Sequence, residues 1–293
     1  MIDLHSHILP GIDDGAPDLA LSLAMARAFV ADGVTAVACT PHILPGVYMN
    51  SGPGIRSAVA ALEDVLRSEE IPLKLLTGAD NHVVPDFVLG LRSGRLLSLG
   101  DTRYVLVEPP HHVMPPRLEE LFFSILVAGY VPILTHPERL TWVGSHYPLL
   151  ERLVRAGVWM QITAGSLTGA FGKNARYLSE KMLDEGLVHI LATDAHDVVR
   201  RPPNLSAGRE AAARRVGDAE AEHLVVTRPG GVVANVMPSE LPAPPAAENG
   251  RDVGQDFAGS FSRHDFSGED VDDGRDAGRG LRAFAGRLRR ILK

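Results

Sequence analysis

Short apolar runs alternate with longer amphipathic segments through most of the chain. The short runs are rich in β-branched residues and predict strands, whereas the longer segments have apolar residues at helical spacing and predict helices. The predicted strands are residues 2–6, 34–40, 73–79, 103–108, 130–136, 158–164 and 188–196. The predicted helices are residues 19–32, 55–67, 84–91, 116–128, 147–156, 174–185, 205–215 and 219–226. Regular alternation of strands and helices indicates a parallel sheet covered by helices.

Imidazole or carboxylate side chains stand at or just after the ends of six of the seven predicted strands. In parallel barrels the functional groups lie at the carboxyl ends of the strands. An open doubly wound sheet would instead gather its ligands near one switch point. Ligand-type residues after nearly every strand therefore favour a closed barrel. These residues are His5, His7, His42, Asp80, Glu108, His136, Asp194 and His196.

The first strand and its following loop hold the densest group of such residues. Strand side chains alternate between faces, so His5 and His7 point the same way. The chain then turns, and the loop carries Asp13 and Asp14 just beyond the strand end. An isolated pair of histidines is weak evidence for a metal site, and a hydrophilic turn is the alternative interpretation. Recurrence of histidine at later strand ends favours the metal.

With Asp14, the strand-end residues provide five imidazoles and four carboxylates and no thiolate. This set is too large for one tetrahedral ion, whereas two or three divalent ions bridged by carboxylates would use it fully. Nitrogen and oxygen ligands without sulfur suit Mn, Fe or Zn. Such ions lower the pKa of a bound water and clamp phosphoryl oxygens, so hydrolysis of a phosphate ester is the expected reaction. The nine predicted ligands are His5, His7, Asp14, His42, Asp80, Glu108, His136, Asp194 and His196.

Two arginines directly follow metal-site histidines. Arg139 lies in HPER and Arg201 lies in RRPP. A guanidinium group matches phosphate oxygens in a bidentate way, so both are predicted to bind the phosphoryl group of a substrate. For either arginine alone, a solvated surface charge is the alternative.

Two other hydrolase chemistries lack their motifs. A cysteine phosphatase needs an arginine six residues after its nucleophile, and Pro45 stands at that position after Cys39. Cys39 is therefore predicted to be a small core residue. A serine hydrolase of the α/β type is poorly supported because the chain has no GxSxG sequence.

Composition sets broader limits. The chain has 293 residues and a formal net charge of -7, so one large α/β domain over residues 1–237 is expected, without a general attraction to nucleic acid. The single cysteine excludes an internal disulfide framework. No secretory signal is evident, and no apolar run reaches the roughly 18 residues that span a bilayer. A cytoplasmic location is expected.

The composition changes near residue 238. Pro, Ala, Gly and acidic residues dominate residues 238–280, which predicts a disordered linker. Residues 281–293, LRAFAGRLRRILK, place apolar residues on one helical face with five basic residues around them. This pattern predicts peripheral contact with the inner face of the plasma membrane or with an acidic partner. Packing of the segment against the barrel is the alternative.

Five motifs together resemble those of the PHP-superfamily tyrosine-protein phosphatases of bacterial capsule and exopolysaccharide loci, the CpsB/CapC type. The resemblance, from residue 1 to about 235, implies a distorted (β/α)7 barrel with a trinuclear, usually manganese, centre. It also implies that the nine ligands carry over and that Arg139 and Arg201 contact phosphate. The implied substrate is phosphotyrosine on an autophosphorylating kinase that controls polysaccharide polymerisation. The motifs are HSHILPGIDDGAPD, ACTPH, VEPP, THPER and TDAHDVVRRPP.

The chain departs from this family pattern in two respects. Asp80 stands where the family typically has a glutamate, and its shorter side chain predicts one weakened metal position. The linker and the terminal basic segment are not part of the family core. A PHP phosphoesterase acting on a small molecule such as histidinol phosphate is the alternative enzyme. A binding protein with a degraded site is the non-enzymatic alternative, which retention of the other eight ligands disfavours.

Overall fold

Nine short strands surround the core in residues 1–248, the part of the chain that the computed structural model describes. Each predicted strand appears, and a second short strand that was not predicted follows two of them. Their bounds are β1 Ile2–Ser6, β2 Ala36–Cys39, β3 His42–Ile43, β4 Lys74–Thr77, β5 Asp80–His82, β6 Tyr104–Glu108, β7 Val131–Thr135, β8 Trp159–Thr163 and β9 Ile190–Ala192.

All pairings between these strands are parallel. One sheet has the order β1-β2-β4 and the other has the order β3-β5-β6-β7-β8-β9. β2 leads directly into β3, and β4 leads directly into β5, so the chain itself joins the two sheets. On the opposite side, Asp194 N donates to His5 O and His7 N donates to Ala195 O, each at 2.9 Å. The arrangement agrees with the predicted distorted (β/α)7 barrel.

Two positions in the barrel are occupied by a pair of short strands, β2 with β3 and β4 with β5, which makes the barrel irregular. Pro41 separates β2 from β3 because it has no backbone N–H to donate to a neighbouring strand. Its carbonyl oxygen instead accepts a hydrogen bond from Asp80 N at 3.2 Å. The sequence placed Asp80 at the end of the strand 73–79. The structure differs, because pairing resumes after residues 78–79 and Asp80 begins β5.

The helices follow the predicted order. Asp18 begins the first of them by accepting a hydrogen bond from Leu21 N at 2.9 Å. The last two predicted helices form one element that is interrupted at Gly217, where φ is 83°. The helices are α1 Leu19–Ala31, α2 Gly52–Ser68, α3 Phe87–Arg92, α4 Leu118–Val127, α5 Tyr147–Arg155, α6 Ala164–Thr168, α7 Gly172–Asp184, α8 Leu205–Glu222, α9 Arg228–Val233 and α10 Pro245–Glu248. Short 3-10 turns lie at Leu99–Asp101, Pro137–Arg139, Val143–Ser145 and Pro238–Glu240, and a π-turn lies at His223–Thr227.

Each longer helix buries one apolar face against the strands. On α2 the buried residues recur every three or four positions, at Ile55, Val59, Leu62 and Leu66. Burial of one such side chain contributes about 1.5–3 kcal/mol to stability. Cys39 lies in the same core with no exposed surface, which confirms its predicted role as a core residue. Burial raises the pKa of its thiol, so it is not a nucleophile.

Residues just beyond 237, where the sequence analysis ended the barrel domain, contact the barrel. Leu241 packs against a second, smaller cluster of buried apolar residues. The guanidinium group of Arg228, which is fully buried, donates from Nε to Pro242 O at 2.7 Å and pairs through Nη1 with Glu220 at 2.7 Å. Residues 238–246 therefore cover part of the barrel surface, although their Pro-rich composition suggested a linker.

The rest of the predicted linker and the basic segment 281–293 lie outside the described residues. Within residues 1–248, no helix is long and apolar enough to cross a membrane.

Candidate metal centre

The structure brings all nine predicted ligands together at the carboxyl ends of the strands. They fall into overlapping groups, and within each group the donor atoms lie within 4.8 Å of one another. One group has His7, Asp14, His42 and His196; a second has His5, His7 and Asp80; a third has His5, His136 and Asp194; and Glu108 belongs to two more, with His42 and His82 and with His111 and His136.

The two histidines of β1 are oriented by hydrogen bonds on their outer nitrogens. His5 Nδ1 lies 2.8 Å from Gln161 Oε1, and His7 Nδ1 lies 2.7 Å from Asp13 Oδ2. In the neutral tautomer that donates from Nδ1, Nε2 of each ring keeps a lone pair that can bind a metal. The two Nε2 atoms are 3.3 Å apart, so they face a common point.

The loop after β1 approaches His7 very closely. A Cβ atom at position 15 would overlap the carbonyl oxygen and the Cβ of His7, so only glycine fits there. Gly15 N donates to Asp13 Oδ1 at 3.0 Å, which fixes the carboxylate that orients His7. The same turn leaves Asp14 Oδ1 3.5 Å from His42 Nε2 and 3.4 Å from His196 Nε2.

The charge states of three buried groups, His5, His136 and Asp194, suit metal ligation. Burial lowers the pKa of His5 to about 4 and also holds the pKa of His136 well below its usual value. Both rings are therefore neutral at neutral pH, the form in which imidazole binds metals. Burial alone would raise the pKa of Asp194, but His5, Arg201 and Arg139 hold it well below its usual range. This carboxyl group is therefore ionised.

Several buried polar atoms of the site have no hydrogen-bond partner among the described residues. A buried polar atom without a partner costs about 1–3 kcal/mol, and more for a charged group, unless a ligand satisfies it. Concentrated at one place and drawn from imidazoles and carboxylates, such atoms fit divalent cations. They are both carboxylate oxygens of Asp80, Oε2 of Glu108, Nδ1 of His42 and of His136, and Nε2 of His196.

Arg139 and Arg201, which the sequence analysis predicted to bind phosphate, lie beside this cluster. Each guanidinium group contacts Oδ2 of Asp194. Each also lies near the ring of Phe171, with Cζ 4.3 Å from the centroid for Arg139 and 5.7 Å for Arg201. The two guanidinium groups therefore come from separate loops and lie together next to the carboxylates.

The amino-acid sequence matches a known family over nearly all of the barrel. The profile described as "Capsular polysaccharide synthesis, CpsB/CapC" covers residues 1–234. The chain belongs to the CpsB/CapC family. It is 42% identical over 201 residues to the tyrosine-protein phosphatase YwqE of Bacillus subtilis, and this alignment covers 69% of this chain and 79% of that protein. It is 33% identical over 202 residues to the putative tyrosine-protein phosphatase CapC of Staphylococcus aureus, covering 69% and 79%.

A solved structure of this family shares the fold. It comes from work on YwqE of Bacillus subtilis and CpsB of Streptococcus pneumoniae, which are described there as unique metal-dependent tyrosine phosphatases. The TM-score is 0.78 with 37% sequence identity, and the match covers 81% of this chain and 96% of the other.

Four residues at the site were not singled out from the sequence, and Asp13 was named in the first loop without the role it has in orienting His7. Gln161 orients His5, and Phe171 lies against the two arginines. His82 and His111 both reach Glu108. For His82 a signal was available, since it is two residues after Asp80 and so shares its face of a strand. Gln161 gave no such signal, because its partner is 156 positions away in the sequence.

Proposed function

We propose that this protein is a metal-dependent protein-tyrosine phosphatase. The observation that carries the proposal is the group of buried carboxylate and imidazole atoms without hydrogen-bond partners, with Arg139 and Arg201 beside it. The tyrosine-phosphatase names of the relatives support it. Together they favour a phosphoric monoester hydrolase over a binding protein with a degraded site.

In this proposal the predicted ligands hold two or three divalent ions. Donors that are nitrogen and oxygen only suit manganese, iron or zinc. Manganese is the expected metal because the resemblance to the CpsB/CapC type implies it. Ions bound there supply activation of water and neutralisation of phosphoryl charge. The ligands are His5, His7, Asp14, His42, Asp80, Glu108, His136, Asp194 and His196.

The chain's own cations bind the substrate. Arg139 and Arg201 are the proposed catalytic residues, and their guanidinium groups donate to phosphoryl oxygens in place of part of their contact with Asp194. Phe171 keeps both guanidinium groups on the same side of the site.

The proposed substrate is the phosphotyrosine tail of a bacterial tyrosine kinase that controls capsule or exopolysaccharide synthesis. The family description, capsular polysaccharide synthesis, supports this assignment. A small phosphomonoester such as histidinol phosphate is the alternative substrate. The formal net charge of -7 disfavours nucleic acid.

Membrane contact is a separate part of the proposal. The five basic residues and the apolar stripe of residues 281–293 suit an anionic leaflet, where each cation contributes on the order of 1 kcal/mol. A phosphatase in the cytoplasm would thereby stay near a membrane-embedded kinase, with the linker before it setting the reach. Sedimentation with anionic liposomes tests this, comparing the full chain with one truncated after Glu248. Equal, negligible binding of both chains would contradict membrane contact.

Removal and return of metal tests the proposed activity. Protein stripped by a chelator should not hydrolyse a phosphotyrosine peptide, and Mn should restore turnover. Asp194→Asn should lower metal content, measured by elemental analysis, as well as turnover. Full turnover by protein with negligible metal content would contradict the proposal.

A further inference from the structure

Four imidazoles surround the carboxylate of Glu108, which is 3% exposed. Near Oε2, His42 Nδ1 lies at 3.1 Å and His82 Nε2 is in direct contact. Near Oε1, His111 Nε2 lies at 3.1 Å and His136 Nε2 lies at 3.5 Å. This part of the site is rich in nitrogen donors.

His82 reaches Glu108 because of the register of β5. His82 pairs with Glu108 across the parallel β5–β6 ladder, so the two side chains stand side by side. Asn81 points to the other face, where its amide donates to Leu97 O at 2.9 Å and to Leu106 O at 3.1 Å. These bonds hold the register of a strand of only three residues and keep His82 directed at the site.

Asp80 lies on the same strand face, between the His5 side of the site and Glu108. Its Oδ2 is 3.5 Å from His5 Nε2 and 3.5 Å from His42 Nδ1, the nitrogen that also lies 3.1 Å from Glu108 Oε2. Asp80 falls in a group of potential metal ligands with His5 and His7, whereas the β5 side chain that groups with Glu108 and His42 is His82.

We propose that His82 is a metal ligand at the position beside Glu108, and that this position consequently prefers zinc to manganese. The inference rests on the proposed metal-dependent function and assigns a ligand that the strand-end pattern did not include. Imidazole nitrogen raises affinity for later first-row ions more than for manganese, which favours carboxylate oxygens. Asp80 can then bind metal on the His5 side of the site, while His82 provides a donor on the Glu108 side.

The test measures metal binding without substrate. Metal-free wild type, His82→Gln and His112→Gln are titrated with zinc and with manganese against a chromophoric chelator, and bound metal is counted by elemental analysis. His112 is the matched control because it is an exposed histidine in the loop after β6. His82→Gln should lose one zinc equivalent, or bind it at least about tenfold more weakly, and the manganese titration should change less. His112→Gln should match the wild type.

A second variant separates ligation from a general loss of structure. Asp80→Glu, combined with His82→Gln, lengthens the carboxylate by one methylene and should restore the lost equivalent, with manganese now favoured over zinc. Thermal unfolding of each metal-free variant monitors folding. Wild-type zinc stoichiometry and affinity in a folded His82→Gln variant would overturn the inference, as would an equal loss in His112→Gln.

Activity assays distinguish this inference from the proposed function. If the wild type hydrolyses phosphotyrosine peptide but His82→Gln binds metal normally, only the ligand assignment fails. If metal binding depends on His82 but the loaded wild type does not hydrolyse phosphotyrosine, the ligand assignment stands and the proposed function fails.

Discussion

Replacing Arg139 or Arg201 by alanine tests the proposed phosphate-binding side of the site. Both side chains contact Asp194 but sit differently, since the side chain of Arg139 is 14% exposed and that of Arg201 is 24% exposed. The more buried cation acts in a lower dielectric environment and is screened less by solvent. We therefore expect the larger loss of transition-state stabilisation for Arg139→Ala.

The size of the loss follows from the type of contact. Removing one preorganised donor to a developing anionic oxygen costs about 2–4 kcal/mol. At 1.36 kcal/mol for each factor of ten, this lowers kcat/KM by about 30-fold to 1,000-fold. Arg139→Ala should fall near the upper end of this range and Arg201→Ala near the lower end. Arg139→Lys retains the charge but not the bidentate fork, so its loss should be intermediate.

The assay is kcat/KM on a phosphotyrosine peptide at saturating Mn, with metal content measured on the same samples. Arg200→Ala is the matched control, because Arg200 is exposed and adjacent to Arg201. Metal content should not fall in the arginine variants, since they remove positive charge from the neighbourhood of the ligands and so do not weaken cation binding. Loss of bound metal in either variant, or an equal loss of activity in Arg200→Ala, would refute the phosphate-binding role.

Three further predictions concern the scaffold. Cys39→Ala should keep its metal dependence and nearly all of its kcat/KM, because the thiol is buried in the core; abolished turnover in a folded variant would contradict this. Burial, with Arg228 alongside, lowers the pKa of His189 to about 3. The unfolded state therefore binds more protons than the folded state below pH 6.5, and the free energy of unfolding should fall as the pH is lowered. His189→Gln should remove about 2 kcal/mol of that fall between pH 6.5 and 4.5 in denaturant titrations; superimposable pH profiles would contradict the assignment. Truncation after Met237 should lower the free energy of unfolding by about 1–3 kcal/mol because Arg228 loses its Pro242 partner, whereas truncation after Glu248 should not.

The sequence predicted the barrel and the nine clustered residues because both depend on local periodicity. The alternation of His5 and His7 and the placement of polar residues after strands follow from strand geometry alone. The contacts of residues 238–246 could not be predicted from composition. These residues are held by apolar side chains such as Leu241 and by backbone carbonyls such as Pro242 O, and composition records neither contact.

The finer structure of the site depended on contacts that local patterns do not contain. The sequence ended the third strand before Asp80, so the face shared by Asp80 and His82 was not considered. Phe171 lies in the loop before α7, and only the folded chain shows that its ring is near both arginines. Pattern therefore identified the elements that deliver ligands, whereas packing determined which neighbours orient them.

The most direct measurement of the central claim is a comparison of substrates by one preparation of Mn-loaded wild-type protein. Its kcat/KM is measured on a phosphotyrosine peptide, a phosphoserine peptide and histidinol phosphate, with chelated protein as the blank. We expect the phosphotyrosine peptide to be preferred and its hydrolysis to disappear in the blank. Preference for histidinol phosphate, or phosphotyrosine hydrolysis that persists without metal, would contradict the account.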